Sequence, residues 1–276
     1  MSEPLHRSDF PHVVSPPTPL EEGIAAPPPK ISFNHVSITL NDRPILKDVS
    51  FQVNRGQTLC ILGRSGVGKS VTLRILMGFL RPEVGSISVD GTEINLLNED
   101  AMNEMRQHIT MVFQNGALFD SLTVFENVAF PLRERGSLDD EQIAQIVNPL
   151  LEMVGAEDVR NDLPASLSTG RRRAVAMARA LASQPEIVLY DEPTTMVDPL
   201  IARRLGDLIQ RLKSQLGFTS IVVTHDMRFA ERLADLVLFL HEGRAAYFGP
   251  LRGFLDSRVE EIRRFLEYDA YVIPVT

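Results

Sequence analysis

Gly63-Arg64-Ser65-Gly66-Val67-Gly68-Lys69-Ser70 joins three glycines to a lysine and a hydroxyl, and that order of residue types suits the holding of a phosphate chain. Glycines let the backbone wrap closely enough for its N–H groups to face phosphate oxygens. A helix opening at Val71 adds the partial positive charge of its N-terminus. Lys69 would then meet the β- and γ-phosphates, and the Ser70 hydroxyl would ligate Mg²⁺. A nucleotide site of this kind also needs a second metal ligand and a group that acts on water. The stretch EIVLYDEP, residues 186 to 193, offers both. Its apolar run is read as a strand that delivers Asp191 to a sheet edge as the metal ligand, with Glu192 beside it as candidate general base. Alone, either carboxylate would read as a helix cap; the phosphate loop turns the reading toward catalysis.

The chain that must position these groups has 276 residues, 44% of them hydrophobic and 23% charged, enough for a substantial core. Its formal charge of -8 argues against coating nucleic acid or anionic lipid, which relies on dense Lys and Arg. The single cysteine, Cys60, excludes a disulfide within the chain and lies in the apolar run TLCIL as a small buried hydrophobe, consistent with a reducing compartment. No apolar run is long enough for a membrane span and the N-terminus lacks a signal core, so a membrane connection must come through a partner. Residues 1–30 are proline-rich and read as a disordered tail. The body is expected over 31–250, with a C-terminal helical extension over 251–276.

ISFNHVSITL and ILKDVSFQV alternate around NDRP as an antiparallel pair. After GQTLCILG the pattern becomes strand, loop and helix in repeated order through SVTLRILMGFL, ITMVFQ, EIVLYDE, LIARRLGDLIQRLKSQ and SIVVTHD, which predicts a mostly parallel sheet flanked by helices. LVLFLHEGRAAYFG closes as a hairpin turned at Glu242 and Gly243. Residues 137–155 and 164–183 read as helices of an inserted lobe spanning about 115–183.

LSTGR, residues 167 to 171, then distinguishes among phosphate-loop proteins, because it resembles the LSGGQ signature of ATP-binding-cassette ATPases and stands ahead of a helix and of EIVLYDEP. The likeness extends over 31 to about 250, with Gln114 in VFQNG, Asp198 in TMVDP and His225 in VVTHD in the family's order. It implies an antiparallel β subdomain, a phosphate-loop sheet core and a helical subdomain carrying the signature. It also implies ATP and Mg²⁺ held between two copies joined head to tail. Ser168, Thr169 and Gly170 of one copy would face the γ-phosphate on the other copy's loop, Asp198 would lie at the junction, Gln114 would touch Mg²⁺ and the attacking water, and His225 would sense the γ-phosphate. Arg171, Arg172 and Arg173 read as a solvated helix face or as partners of nearby carboxylates.

Three departures stand out. Thr169 replaces a signature glycine and would be strained by about 1 kcal/mol if the backbone there has positive φ. Met196 and Val197 replace a Gly-Leu pair. Ile38 stands where the family places an aromatic residue against adenine. These changes point to slow or partner-dependent turnover, not to loss of catalysis, because Lys69, Ser70, Asp191, Glu192 and His225 all remain; the alternative is a nucleotide-gated regulatory module with weak hydrolysis.

GALFDSLTVFENVAFPLRE, residues 116–134, is similar to the matching stretch of ATPases from Mla-type, MCE-associated phospholipid transporters. That resemblance implies an MlaE-like integral membrane permease docking near 114–134, an MCE-domain lipid-binding protein reached through it, no nucleic acid, and a peripheral place on the cytoplasmic face of the bacterial inner membrane. Val259, Ile262, Phe265 and Leu266 share one helical face in the extension, suited to packing on the chain's own body or on a sister subunit.

Overall fold

The computed structural model describes residues 27–114 and 116–271, with side chains described as far as Glu267. The expected tail lies outside these residues up to position 26, but its last member, Lys30, does not behave as tail. Its side chain is buried and pairs with Asp90 at 2.5 Å and with Glu186, while Arg55 reaches the same Asp90 at 2.5 Å. An ammonium taken from water persists only with such partners.

The first layer is a four-stranded antiparallel sheet in the order β2-β1-β4-β5. β1 (Ile31–Leu40) and β2 (Arg43–Val53) turn through Asn41 and Asp42, whose φ values of 50° and 59° make the tight turn that matches strand twist. β4 (Val84–Val89) and β5 (Thr92–Glu93) complete it. These last two strands, with the α2 helix (Glu99–Arg106), occupy a stretch in which the sequence pattern shows no element. β4 pairs with β1 across about 50 residues, and local periodicity carries no trace of such a partner.

The second layer is a six-stranded sheet in the order β10-β9-β3-β8-β7-β6. β3 (Thr58–Leu62), β6 (Ile109–Val112), β7 (Ile187–Asp191), β8 (Thr219–Val223) and β9 (Leu236–His241) run parallel, and β10 (Arg244–Pro250) closes the predicted hairpin on the edge. Continuous apolar runs arise because both faces are covered. Leu59, Ile61, Ile187, Leu189, Ile221 and Val223 enter the core shared with the antiparallel sheet, α2 and α1 (Lys69–Leu76). Their neighbours Cys60, Leu62, Val188, Tyr190 and Val222 enter the core on the other face. Burial pushes the Cys60 thiol pKa upward, as befits a packing residue.

That second core is roofed by α3 (Val124–Arg135), α4 (Asp140–Val154), α5 (Thr169–Ala182), α6 (Pro199–Leu216) and α7 (Met227–Leu233). α3 carries a capping box of Thr123 and Glu126 at its start. It contains Pro131, as α4 contains Pro149. Residues 164–166 form a single 3₁₀ turn instead of the expected start of α5. α8 (Leu251–Leu255) and α9 (Glu260–Tyr271) follow. Phe254 and Ile262 are fully buried and Phe265 lies 5.1 Å from Phe239, so the extension packs on the chain's own body. Residues 272–276 lie outside the described part.

Burial pushes the Glu186 carboxyl upward, but the Lys30 hydrogen bond and charge, with His108 and Arg55, hold it below the usual carboxylate range. Such a group contributes stability above its unfolded pKa and loses it as pH falls through the folded value. Lys30→Met should therefore cost about 1–2 kcal/mol near neutrality, less than a fully buried pair because both carboxylates are partly solvated. It should also make the acid-side loss of stability shallower, as read by urea unfolding between pH 7 and pH 3.

Candidate functional site

β3 pairs with β8 and β8 with β7, all parallel, so the chain leaves all three strands at one edge of the sheet. The loop after β3 holds Gly63 to Gly68; the end of β7 holds Asp191 and Glu192; His225 lies two residues past β8. Gly63 has φ 144° and a Cβ there would lie 2.4 Å from the Leu240 carbonyl oxygen, and Gly68 has φ 109° with Leu46 Cδ2 at 2.6 Å from the same position. Only glycine fits at either end of the loop. Arg64, Ser65 and Gly66 form its exposed crest, and Val67 and Val71 are half-buried against the antiparallel sheet core.

Lys69, 6% exposed, points its ammonium along the inside of the loop and donates to the carbonyls of Gly63 at 2.8 Å and Arg64 at 3.1 Å. The same Nζ is 3.5 Å from Glu192 Oε1. Ser70 Oγ donates to Asp191 Oδ1 at 2.8 Å. A hydroxyl and a carboxylate oxygen side by side next to a phosphate loop are the hard donors that Mg²⁺ takes. Among the described residues no group of three or more His, Cys, Asp or Glu could hold a metal. Burial raises the Asp191 pKa, with the Ser70 hydrogen bond opposing.

Glu192 is held from several sides. His225 Nδ1 lies 2.8 Å from its Oε2, and the Thr195 hydroxyl donates to the same oxygen at 3.3 Å. Its N–H donates to the Val223 carbonyl at 2.9 Å, and its φ of 49° turns the chain sharply at the strand end. Burial pushes the Glu192 carboxyl up, but the His225 hydrogen bond and the charges of His225 and Lys69 more than offset it and leave it below the usual range. The Glu192 hydrogen bond raises the His225 pKa in turn, against partial burial. Gln114 is exposed and follows β6 by two residues, as Glu192 follows by two residues Tyr190, the partner of Val112 on the neighbouring strand.

The signature residues and Asp198 sit on other elements. Ser168 is the N-cap of α5 and accepts from the Arg171 N–H at 3.4 Å; Asp198 caps α6 through the Leu200 N–H at 2.7 Å. A Cβ at Gly170 would lie 3.2 Å from Ile201 Cγ2, so the two helix starts pack side by side. Thr169 begins α5 with negative φ, and the expected strain there is absent. It falls instead on Met196, with φ 59° and a side chain 95% exposed, where the family glycine would adopt this backbone freely.

Two further expectations change. Ile38 is 3% exposed and packs in the core, because strand alternation turns it inward; Pro44 and Ile45 are the apolar groups lining the open cleft beside Ser65, Gly66 and Val67. Arg171 pairs with Asp158 at 2.9 Å and Arg172 is exposed, but Arg173 is 8% exposed and donates to the carbonyls of Pro193 and Thr195. The signal was in its spacing: Arg173 shares a helical face with buried Ala176, Met177 and Ala180. Thr195, which braces Glu192, has no mark of its own in the sequence. Of the apolar residues in 116–134, Val124 and Val128 are core, while Phe119 remains 43% exposed against Phe130 at 4.6 Å.

Together the sheet and its edge define a phosphate-loop nucleotide-binding domain. The chain belongs to the ABC transporter family, whose model matches residues 46–195, and this is a cassette ATPase domain of that family. Over 237 residues it is 36% identical to the intermembrane phospholipid transport system ATP-binding protein MlaF of Haemophilus influenzae, covering 86% of this chain and 90% of that one. Over 204 residues it is 39% identical to the methionine import ATP-binding protein MetN of Ralstonia nicotianae, covering 74% of this chain and 58% of that one, so the chain spans less than two thirds of this relative. Among solved structures it is similar to the dimeric post-hydrolysis state of the ATP-binding cassette MJ0796 bound to ADP and Pi, with a TM-score of 0.72 and 32% identity over 81% of this chain and 99% of that one.

If the Glu192–His225 pair forms in solution, Glu192→Gln should lower the pH at which the His225 imidazole titrates, measured by NMR on the nucleotide-free chain. An unchanged His225 pKa would show that the two side chains do not meet.

Proposed function

We propose that the chain is the ATP-hydrolysing subunit of an ABC transporter, acting as a head-to-tail pair of copies on a separate membrane permease, with phospholipid as cargo. One observation carries the chemistry: the Glu192 carboxylate is braced between His225 at 2.8 Å and Lys69 at 3.5 Å, beside the Ser70–Asp191 pair. In this reading water attacks the γ-phosphorus in line and the bond to the bridging oxygen of ADP breaks. Glu192 accepts the proton released by the attacking water. Lys69 and Ser168 of the opposite copy meet the charge on the γ-phosphate, with Thr169, Gly170 and Asp198 completing the junction. Ser70 and Asp191 would hold Mg²⁺, with Gln114 beside them, and the ion supplies charge neutralisation along the triphosphate. The MJ0796 dimer supports the pairing of two cassettes.

No described helix is long and apolar enough to cross a membrane, so the attachment proposed is peripheral, on the cytoplasmic face of the bacterial inner membrane. The groove between β6, α3 and α5, where Phe113 and Phe119 are exposed, is the surface proposed to receive the permease. Phospholipid as cargo is supported by residues 116–134 and by the similarity to MlaF over 86% of the chain. The MetN similarity favours a second reading, an amino-acid importer.

Glu192→Gln should lower ATP turnover by roughly 10²-fold or more while ATP binding persists, and the variant with ATP should run as a dimer in light scattering. Turnover retained in that variant would remove Glu192 from its role. Phospholipid found by mass spectrometry in the complex purified with its native permease supports the cargo; turnover stimulated by a free amino acid, with no bound lipid, overturns it.

A further inference from the structure

The mechanism above gives no task to the four arginines of α5, and two of them, Arg173 and Arg179, are engaged in the same way. Arg173 donates through Nη1 to the Pro193 carbonyl and through Nη2 to the Thr195 carbonyl, the latter at 2.5 Å. Arg179 donates through Nη1 to the Ala117 carbonyl at 2.7 Å and through Nη2 to the Gly116 carbonyl at 3.1 Å, with its guanidinium 5.6 Å from the Phe119 ring centre. Each planar fork therefore bridges two carbonyls of one loop, a contact that a lysine's single ammonium reproduces poorly.

The two loops are the ones that matter for water. Residues 193–195 directly follow Glu192, and the Thr195 hydroxyl returns to the Glu192 carboxylate at 3.3 Å. Residues 116–117 follow Gln114 after one intervening residue. Gly116 has φ 74°, and a Cβ there would stand 3.4 Å from the Ala176 Cβ, so this loop presses on α5 directly. Positions 173 and 179 are six residues apart, about 240° around a helix, so α5 reaches the two loops from different sides. Between them Ala174 to Ala178 are buried in the core, which makes the segment stiff.

We propose that Arg173 and Arg179 are positioning residues, through which the helix that begins at the signature sets the places of Glu192 and Gln114 together. The proposal rests on the reading of Glu192 and Gln114 as the residues facing the attacking water. A shift of the α5 start, where Ser168 would meet the opposite nucleotide, then moves both loops in one step. The helix serves as a shared lever, not only as a γ-phosphate cap.

Arg173→Met and Arg179→Met in the full chain, with Arg173→Lys and Arg179→Lys as milder variants in case the first pair fails to fold, provide the test. Amide hydrogen exchange should speed up selectively at 193–197 for the Arg173 variants and at 116–119 for the Arg179 variants. The Met variants should lose about ten-fold in kcat and the Lys variants about three-fold, with KM for ATP within two-fold of the original. In single-turnover assays Arg173→Met should add nothing to Glu192→Gln, and Arg179→Met nothing to Gln114→Ala. Folded variants with normal loop protection and kcat within two-fold would overturn the proposal, as would losses that multiply in full with Glu192→Gln and Gln114→Ala. If Glu192→Gln by itself leaves turnover intact, the assignment of the base fails, and the loop-exchange result still decides whether the arginines hold the loops.

Discussion

Parallel pairing of β3 with β8 and of β8 with β7 brings three strand ends to a common edge, and each end bears part of the site. The first gives a glycine loop, the second a histidine and the third two adjacent carboxylates. Parallel strands must be joined by long crossovers, so these groups are far apart in the chain and meet only because the sheet is in register. A slip of one residue in β7 would turn Asp191 and Glu192 to opposite faces and dismantle both the Ser70–Asp191 and the Glu192–His225 contacts. Such a slip would also misfit side-chain shapes in two close-packed cores at once, since each strand feeds both.

Charge inside the site is arranged so that no group is left alone. Lys69 has two loop carbonyls and Glu192; Glu192 has His225, Thr195 and a backbone anchor; Asp191 has Ser70. Burial alone would raise the pKa of both carboxyls. Glu192 escapes because opposite charges surround it, whereas Asp191, with a hydroxyl as its nearest partner, is held upward. Two adjacent carboxyls are thereby shifted in opposite directions in the nucleotide-free chain.

Family membership follows from motif order and from relatives that share most of the chain, but those relatives act on different cargoes. MlaF and MetN lie at similar identity, 36% and 39%, so identity by itself does not choose between their cargoes. The groove proposed to receive the permease, lined by Phe113, Phe119 and Phe130, is separate from the phosphate loop. α5 stands between the two, with one end at the signature and its flank forming a wall of that groove.

The phosphate loop, the strand ending in Asp191 and Glu192, and the hairpins at 31–53 and 236–250 were legible in the sequence, because each depends on residues close together: glycines at fixed spacing, an apolar run ending in acid, a two-residue turn; His225 stood out only through the order of the family motifs. Less was legible where packing between distant segments decides. β4 and β5 exist because β1 offers them an edge, Ile38 turns inward because the core lies on that side, and Arg173 leaves solvent because two loop carbonyls wait beneath it. The backbone of Thr169 and Met196 shows the same divide, for a motif names the positions but the helix start decides which of them bears positive φ. Sequence by itself determined which chemical groups are present and which short segments they ride on. Only the tertiary structure decided which of them touch, because contact between residues tens of positions apart is set by sheet register and core packing, and neither is encoded in any local window.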